Sequence, residues 1–211
     1  MIVQYDVIII GAGAAGMMSA IEAGKRGRKV LLVDHYKKIG EKIRISGGGR
    51  CNFTNIHTNP NKFISQNPKF VRSALSQYTQ NDFTNLINKY EIKFHEKKLG
   101  QLFCDHSAQQ IVEMLLKECE LAKVTILKEF IIKDVSKDYD QYLVSTETDK
   151  YSSESLIIAT GGLSVPKIGA TSLGYEIAKK FEHNIVETLP ALVPLTFSEK
   201  ILEMCKELTG L

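Results

Sequence analysis

The chain has 211 residues, 44% of them hydrophobic and 24% charged, an ordinary globular composition with room for one large domain or somewhat more. Its 27 basic and 24 acidic residues give a net charge of +3, and the basic pairs are scattered, so charge alone points to no nucleic-acid partner. No run reaches the ~20 apolar residues of a membrane helix, and the start lacks a signal peptide's basic region; Cys51, Cys104, Cys119 and Cys205 form no C-x-x-C pair, so the expectation is a reduced, cytoplasmic protein with no zinc site and no membrane partner.

From the N-terminus, YDVIII at 5–10 is a β-branched run apolar on both faces, which predicts a central parallel strand. Glycines follow at once, and AAGMMSAIEAGK at 14–25 predicts a helix with small residues on one side. KVLLV at 29–33 predicts a second buried strand ending at Asp34. Strand, glycine turn, helix, strand and acid together fill the ~30 residues of one βαβ unit. Residues 35–68 read as loop, carrying Gly40, a triple glycine and several Asn and Pro. Helical spacing then groups Phe70, Val71, Ala74, Leu75 and Tyr78, and again Phe83, Leu86, Ile87 and Tyr90. Ser107 predicts the N-cap of a helix whose apolar face is Ala108, Ile111, Val112, Leu115, Leu116 and Cys119. Strands are expected at 124–127, 130–135, 142–146 and 155–159, joined by charged turns, with a helix over 173–181. The two prolines of PALVP at 190–194 suit a linker or a sheet edge.

Gly11-Ala12-Gly13-Ala14-Ala15-Gly16 matches G-x-G-x-x-G, and it lies between a predicted strand and a predicted helix, the context that gives the motif meaning. Gly11 permits the tight turn, Gly13 lets backbone approach a pyrophosphate, and Gly16 lets helix and strand pack closely. The anion rests on free N–H groups at the helix N-terminus, including those of Ala14 and Ala15. Asp34, 18 residues after Gly16, is placed to accept hydrogen bonds from an unphosphorylated adenosine ribose. A 2′-phosphate there would meet like charge, which disfavours NADP in this site. The motif itself does not choose between NAD and FAD. A second motif helps: LIIATGG at 156–162 is a buried strand ending in Ala159, Thr160, Gly161 and Gly162, small enough to leave room for a bulky cofactor at the sheet edge. His57, His95 and His106 are acid–base candidates by residue type alone.

GAGAAG, SGGGRCNFTN at 46–55, ATGGLSVPKIGATSLGY at 159–175 and PALVPL at 190–195 together resemble the bacterial FAD-dependent oxidoreductases that include aminoacetone oxidase and 3-dehydro-bile-acid reductase. The resemblance implies a glutathione-reductase-type, FAD-binding, Rossmann-like α/β domain. A parallel sheet with helices would carry a helical insertion at about 53–120 and a β-meander at about 130–154. It implies FAD as cofactor and NAD(P)H as a possible electron donor, with hydride passing between that donor or a small-molecule substrate and the flavin. It also implies that Gly48, Gly49, Arg50, Cys51 and Asn52 run beside the cofactor; with no resolving cysteine near in sequence, Cys51 is expected to be a packed or loop thiol rather than a redox centre. The backbone of Ile132 would face the adenine, Thr160 to Gly162 would close over the dinucleotide, and Lys42 and Arg44 would reach a phosphate or a flavin carbonyl. The chain departs from the family where Ser172-Leu173-Gly174-Tyr175 replaces a Gly-Asp-Gly-Tyr run. Family members are about twice as long, so residues 1–189 are expected to form the FAD-binding domain. Residues 190–211 would then start an incomplete second domain, and the chain would be C-terminally truncated. The competing expectation is a non-catalytic nucleotide-binding module that needs a second chain to complete the fold. A simple NAD-dependent dehydrogenase fits less well, given the insertion and the LIIATGG strand.

Overall fold

The computed structural model describes residues 2–190 and 198–206. Strand β1 (Ile2–Ile10) runs through a glycine turn into α1 (Ala14–Lys25) and β2 (Val30–Val33). The excursion that follows holds α2 (Glu41–Ile45), β3 (Asn52–Asn55), α3 (Arg72–Gln77), α4 (Gln80–Lys89), β4 (Phe94–Glu96), β5 (Gln101–Cys104) and α5 (Gln109–Leu121). Next come β6 (Thr125–Leu127), β7 (Asp134–Asp138), β8 (Gln141–Ser145), β9 (Lys150–Ile158), α6 (Leu173–Lys180) and α7 (Glu199–Lys206).

The main sheet has the order β6-β2-β1-β9-β8-β7. Its first four strands are parallel, and β8 and β7 join β9 antiparallel as the predicted meander. A parallel sheet covered on both sides needs strands without a polar face, and Ile8, Ile9, Leu31 and Leu32 are accordingly fully buried. On one side Met17 and Ile21 of α1 and Ile111 and Leu115 of α5 pack with Val7, Ile9 and Leu32. On the other, Phe130, Val135, Val144 and Ile177 pack with Tyr5, Ile8, Ile10, Leu31 and Val33. Helix α1 sits hard against β1 because position 16 is glycine: a Cβ there would lie 1.7 Å from the Gly11 carbonyl oxygen.

Several expectations need correction. The strand expected at 130–135 begins only at Asp134. Glu129 takes a left-handed φ of 56°, and the Phe130 N–H donates to the Asp34 carbonyl (2.9 Å), so residues 130–132 pass the end of β2 before the Lys133 N–H makes the first bond to β8, at the Ser145 carbonyl (2.8 Å). The stretch 35–68 is not all loop, since it contains α2 and β3. A three-stranded antiparallel sheet, β3-β5-β4, therefore sits inside the region expected to be helical. Phe53 of this sheet meets Phe94 edge-on at 5.4 Å and Phe83 of α4 at 6.0 Å, which fixes it against the insertion helices. Thr79 and Asp82 form a reciprocal capping box that separates α3 from α4. Helix α5 begins at Gln109, whose N–H donates to the Ser107 hydroxyl (3.1 Å), so the predicted cap acts two residues before the helix. Of the predicted linker at 190–194, only Pro190 lies within the described residues. Among those residues no helix is long and apolar enough to cross a membrane, and no group of His, Cys, Asp or Glu is placed to hold a metal ion.

Candidate functional site

Three strand ends meet at one edge of the main sheet. Ile10 is in register with Val33 on one side and Ile158 on the other, so Gly11, Asp34 and Ala159 leave the sheet side by side. The Gly11 N–H donates to the Val33 carbonyl and the Ala159 N–H to the Ile10 carbonyl, both at 2.8 Å. The chain leaves β1 toward β2 through α1 and returns to the opposite neighbour, β9, much later. That reversal opens the crevice where ligands collect in open α/β sheets. Gly11 must be glycine here: its φ is +105°, and a Cβ would sit 2.5 Å from the Ala159 carbonyl oxygen.

A cavity of about 400 Å³ opens at this edge, and a second of about 300 Å³ adjoins it. Both are lined by Gly11, Asp34, His35 and Thr160, so they form two compartments joined at the strand ends. The larger is also lined by Gly13, Ala14 and Ala15 at the start of α1, by Lys42, Cys51 and Asn52, and by Ala159 and Gly161. The smaller contains Ile132, Phe130 and Thr171.

The residues at the junction suit a dinucleotide. Helix α1 has no side-chain cap and no acidic residue in its first turn, so its leading N–H groups are unclaimed by side chains. A Cβ at Gly13 would meet nothing within 4 Å, which leaves open space beside those amides. Asp34 is held in place by two backbone donors, the N–H of Ala12 to Oδ2 (2.7 Å) and the N–H of Tyr36 to Oδ1 (2.8 Å). An ionised carboxylate has about four acceptor sites, so two remain for hydroxyl groups in the cavity.

Of the predicted site residues, Gly11, Gly13, Ala14, Ala15, Asp34, Lys42, Cys51, Asn52, Ala159, Thr160 and Gly161 line the larger compartment, and Ile132 lines the smaller. Gly16 is packed against Gly11 beneath them. Gly162 is drawn in by its carbonyl, which accepts from Lys42 Nζ at 2.7 Å; the same ammonium reaches the Ser164 hydroxyl at 3.2 Å. Arg44 turns away, donating to the Ile39 carbonyl (3.1 Å) and pairing with Glu41 (3.2 Å). Gly48, Gly49 and Arg50 are not among the lining residues, and Arg50 is exposed. Burial raises the Cys51 thiol above its ordinary range, against a smaller opposing effect from a Ser46 hydrogen bond, so it stays protonated at neutral pH.

Sequence reasoning missed His35 and Tyr36, which line the larger compartment directly after Asp34, with His35 Nδ1 3.6 Å from the Asp34 carboxylate. Their signal was position alone: two polar rings immediately following Asp34. It also missed the aromatic wall of Phe53 and Phe83, because the fold brings them together from 30 residues apart. His57, His95 and His106 do not line this cavity; His95 is instead paired with Asp105 at 2.7 Å.

Comparison with known proteins agrees with this architecture. The chain is 50% identical over 207 residues to the Ribosomal RNA dihydrouridine synthase of Escherichia coli K12, covering 98% of this chain and 52% of that protein. It is 45% identical over 201 residues to the like-named protein of Haemophilus influenzae (93% and 50%) and 26% identical over 190 to the 3-dehydro-bile acid delta(4,6)-reductase of Clostridium scindens (89% and 46%). The chain thus spans about half the length of the curated relatives it matches. Among solved structures, the 3-ketosteroid-delta4-(5alpha)-dehydrogenase of Rhodococcus jostii RHA1 shares the fold at a TM-score of 0.51 and 13% identity, over 76% of this chain and 46% of that one. The model of the HI0933-like protein Rossmann domain matches residues 5–205, and the chain belongs to that family.

Proposed function

We propose that this chain carries the FAD site of a flavin-dependent oxidoreductase that takes hydride from a nicotinamide donor and delivers it to a substrate. The observation that carries the reading is the pair of compartments joined at Gly11, Asp34 and Thr160, with an uncapped helix N-terminus and the open face of Gly13 at the joint. Amides of Ala14 and Ala15 would hold the pyrophosphate, Asp34 the ribose hydroxyls, and the backbone of Ile132 the adenine. Lys42, Cys51 and Asn52 also line the larger compartment, in which the flavin ring would lie. A bound flavin supplies reversible hydride transfer. The chain's part is to orient the ring, to exclude water with the Phe53 and Phe83 wall, and to offer donors to its polar edge.

The names of two of these relatives, the proteins of Escherichia coli and Haemophilus influenzae, suggest the acceptor. Dihydrouridine is uridine saturated across its ring double bond, so making it takes one hydride and one proton. In this reading the whole protein reduces a uracil base of ribosomal RNA rather than a free small molecule, and it works in the cytoplasm. The test is a visible-range absorbance spectrum of the purified protein, with release and chromatographic identification of any cofactor. FAD is expected, and Gly13→Val, which fills the open space at the pyrophosphate position, should abolish its retention. Protein that neither arrives with FAD nor takes it up on refolding would overturn the reading. NAD(P)H oxidation by this chain alone would separate an enzyme from a module that only binds.

A further inference from the structure

Residues 42–81 contain neither aspartate nor glutamate, while Lys42, Arg44, Arg50, Lys62, Lys69 and Arg72 all fall within them. Taking those six from the chain's 27 basic residues leaves 21 against 24 acidic ones elsewhere. The mild overall charge therefore averages a strongly positive segment with a slightly negative remainder. Within the segment every residue from 61 to 70 is exposed. Lys62, Lys69 and Arg72 take part in none of the ion pairs found among the described residues.

The same ten residues expose apolar side chains. Ile64 is 100% exposed, Phe70 79% and Phe63 42%. Folding gains nothing from side chains left in water, and exposed apolar groups beside unpaired cations mark a binding surface. Each phenylalanine directly follows a lysine, as Lys62-Phe63 and Lys69-Phe70. A ring that stacks on a base beside a cation that meets a phosphate is the arrangement single-stranded nucleic acid requires. An anionic membrane would call instead for an amphipathic helix. Between 61 and 70 the chain has only the end of a short 3-10 turn, bends and a hydrogen-bonded turn, and α3 starts later and is six residues long.

The roots of the segment fix its place. On one side the chain leaves from Asn52 and Phe53, on the other it re-enters at Phe83, and all three line the larger compartment. The Phe53 and Phe83 rings are 6.0 Å apart, so the exposed arm springs from the cavity wall and returns to it.

We propose that residues 61–72 are a docking arm for single-stranded RNA, holding the strand beside the cavity so that one base can enter it. This rests on the RNA reading of the substrate given above, and names the surface that would recognise it. The test is fluorescence anisotropy of the purified protein with a labelled single-stranded oligouridine over a range of salt concentrations, alongside a double-stranded RNA of equal length. Lys62→Ala/Lys69→Ala/Arg72→Ala is expected to weaken binding and to make the slope of log affinity on log salt shallower by about 2, because three cations no longer neutralise phosphates. Phe63→Ala/Phe70→Ala is expected to weaken binding by about tenfold or more with the slope unchanged. Circular dichroism and the flavin content of the same preparations show that fold and cofactor site are intact. The proposal is overturned if the wild-type protein binds no oligouridine, if both variants bind as the wild type does, if duplex binds as well as single strand, or if the variants lose affinity only for anionic vesicles. Absence of flavin from all three proteins, with the RNA differences present, would instead sink the cofactor reading and leave the arm standing.

Discussion

Glu118 offers a sharp test of how this fold is held together. It lies on α5, 1% exposed, and its carboxylate accepts from Lys89 Nζ (2.6 Å) and the Tyr90 hydroxyl (2.8 Å), with Lys25 Nζ at 3.0 Å. Three helices are thus tied to one buried charge: Lys25 ends α1, Lys89 ends α4, and Tyr90 follows it. Burial would raise the carboxyl's pKa, but hydrogen bonds from Lys89, Tyr90 and Lys25 outweigh it and hold the group at about 2, below its ordinary 4.5. Tyr90 is pushed up to about 12, by burial first and then by its bond to Glu118. At about 1.4 kcal/mol per pH unit, the gap between 4.5 and about 2 corresponds to about 3 kcal/mol of stability. The lysines are half-exposed and screened, which lowers the expectation to roughly 2–3 kcal/mol. Because the folded-state value is the depressed one, this stability is complete above pH 4.5 and drains away as pH falls toward 2. Glu118→Gln should therefore cost roughly 2–3 kcal/mol at pH 7, with the gap to wild type narrowing below pH 4.5. Lys25→Met/Lys89→Met should cost more, about 3–5 kcal/mol, because it strands a buried carboxylate while Glu118→Gln only frees two lysines to rehydrate. Urea unfolding followed by circular dichroism suits a chain without tryptophan. A gap for Glu118→Gln that is constant from pH 7 to 3.5, or a lysine pair variant more stable than Glu118→Gln, would refute the reasoning.

Gly47→Ala should cost more than about 2 kcal/mol, since it combines a left-handed φ with a Cβ 2.6 Å from the Phe103 ring, whereas Gly48→Ala meets open space and should cost only about 1–2 kcal/mol; equal urea midpoints would contradict this. Lys42→Met removes the bond to the Gly162 carbonyl, and hydrogen exchange should speed up in residues 160–164 while β1 and β2 stay protected; unchanged exchange there would show that the loop holds itself. Arg50→Ala is expected to leave FAD affinity within a factor of about 2, and Asn52→Ala to weaken it several-fold, because only Asn52 lines the cavity; titration of the cofactor-free proteins reads both, and the reverse order would mean that Arg50 reaches the ligand.

The central βαβ unit was legible because its signals are local. A run such as YDVIII has no polar face to present to water, and G-x-G-x-x-G encodes a turn whose sterics depend on residues five apart. The predicted helix 14–25 coincides with α1 to the residue. The small sheet β3-β5-β4 escaped notice because its strands are three or four residues long and include NFTN, whose asparagines favour turns. The β3–β5 pairing joins positions some 50 apart, such as Asn52 with Phe103, and nothing in either strand announces the other. For the same reason the cleft's floor could be read from sequence, through Gly11, Asp34 and Ala159, while its aromatic wall of Phe53 and Phe83 could not.

The triple glycine has a structural cause that its sequence does not display. Sequence reasoning takes Gly47–Gly49 as letting backbone pass close to a flat ring or a phosphate. The geometry asks for glycine on other grounds: Gly47, Gly48 and Gly49 have φ of 58°, 66° and 84°, a left-handed arc that residues with a Cβ adopt only at a cost. The arc turns the chain so that carbonyls along it close the loop on itself and reach two other parts of the fold. Ser46 accepts from the Cys51 N–H (3.0 Å), Gly49 from the Ala108 N–H beside the start of α5 (2.7 Å), and Arg50 from the Cys104 N–H at the end of β5 (2.9 Å). Cys51 follows with a φ of 52°, a conformation rare outside glycine, and the next residue opens β3. The strain is thus spent on aiming Cys51 and Asn52 at the cavity. The glycines shape the cavity from behind its wall, which is why a motif can border a cavity while most of its residues do not line it.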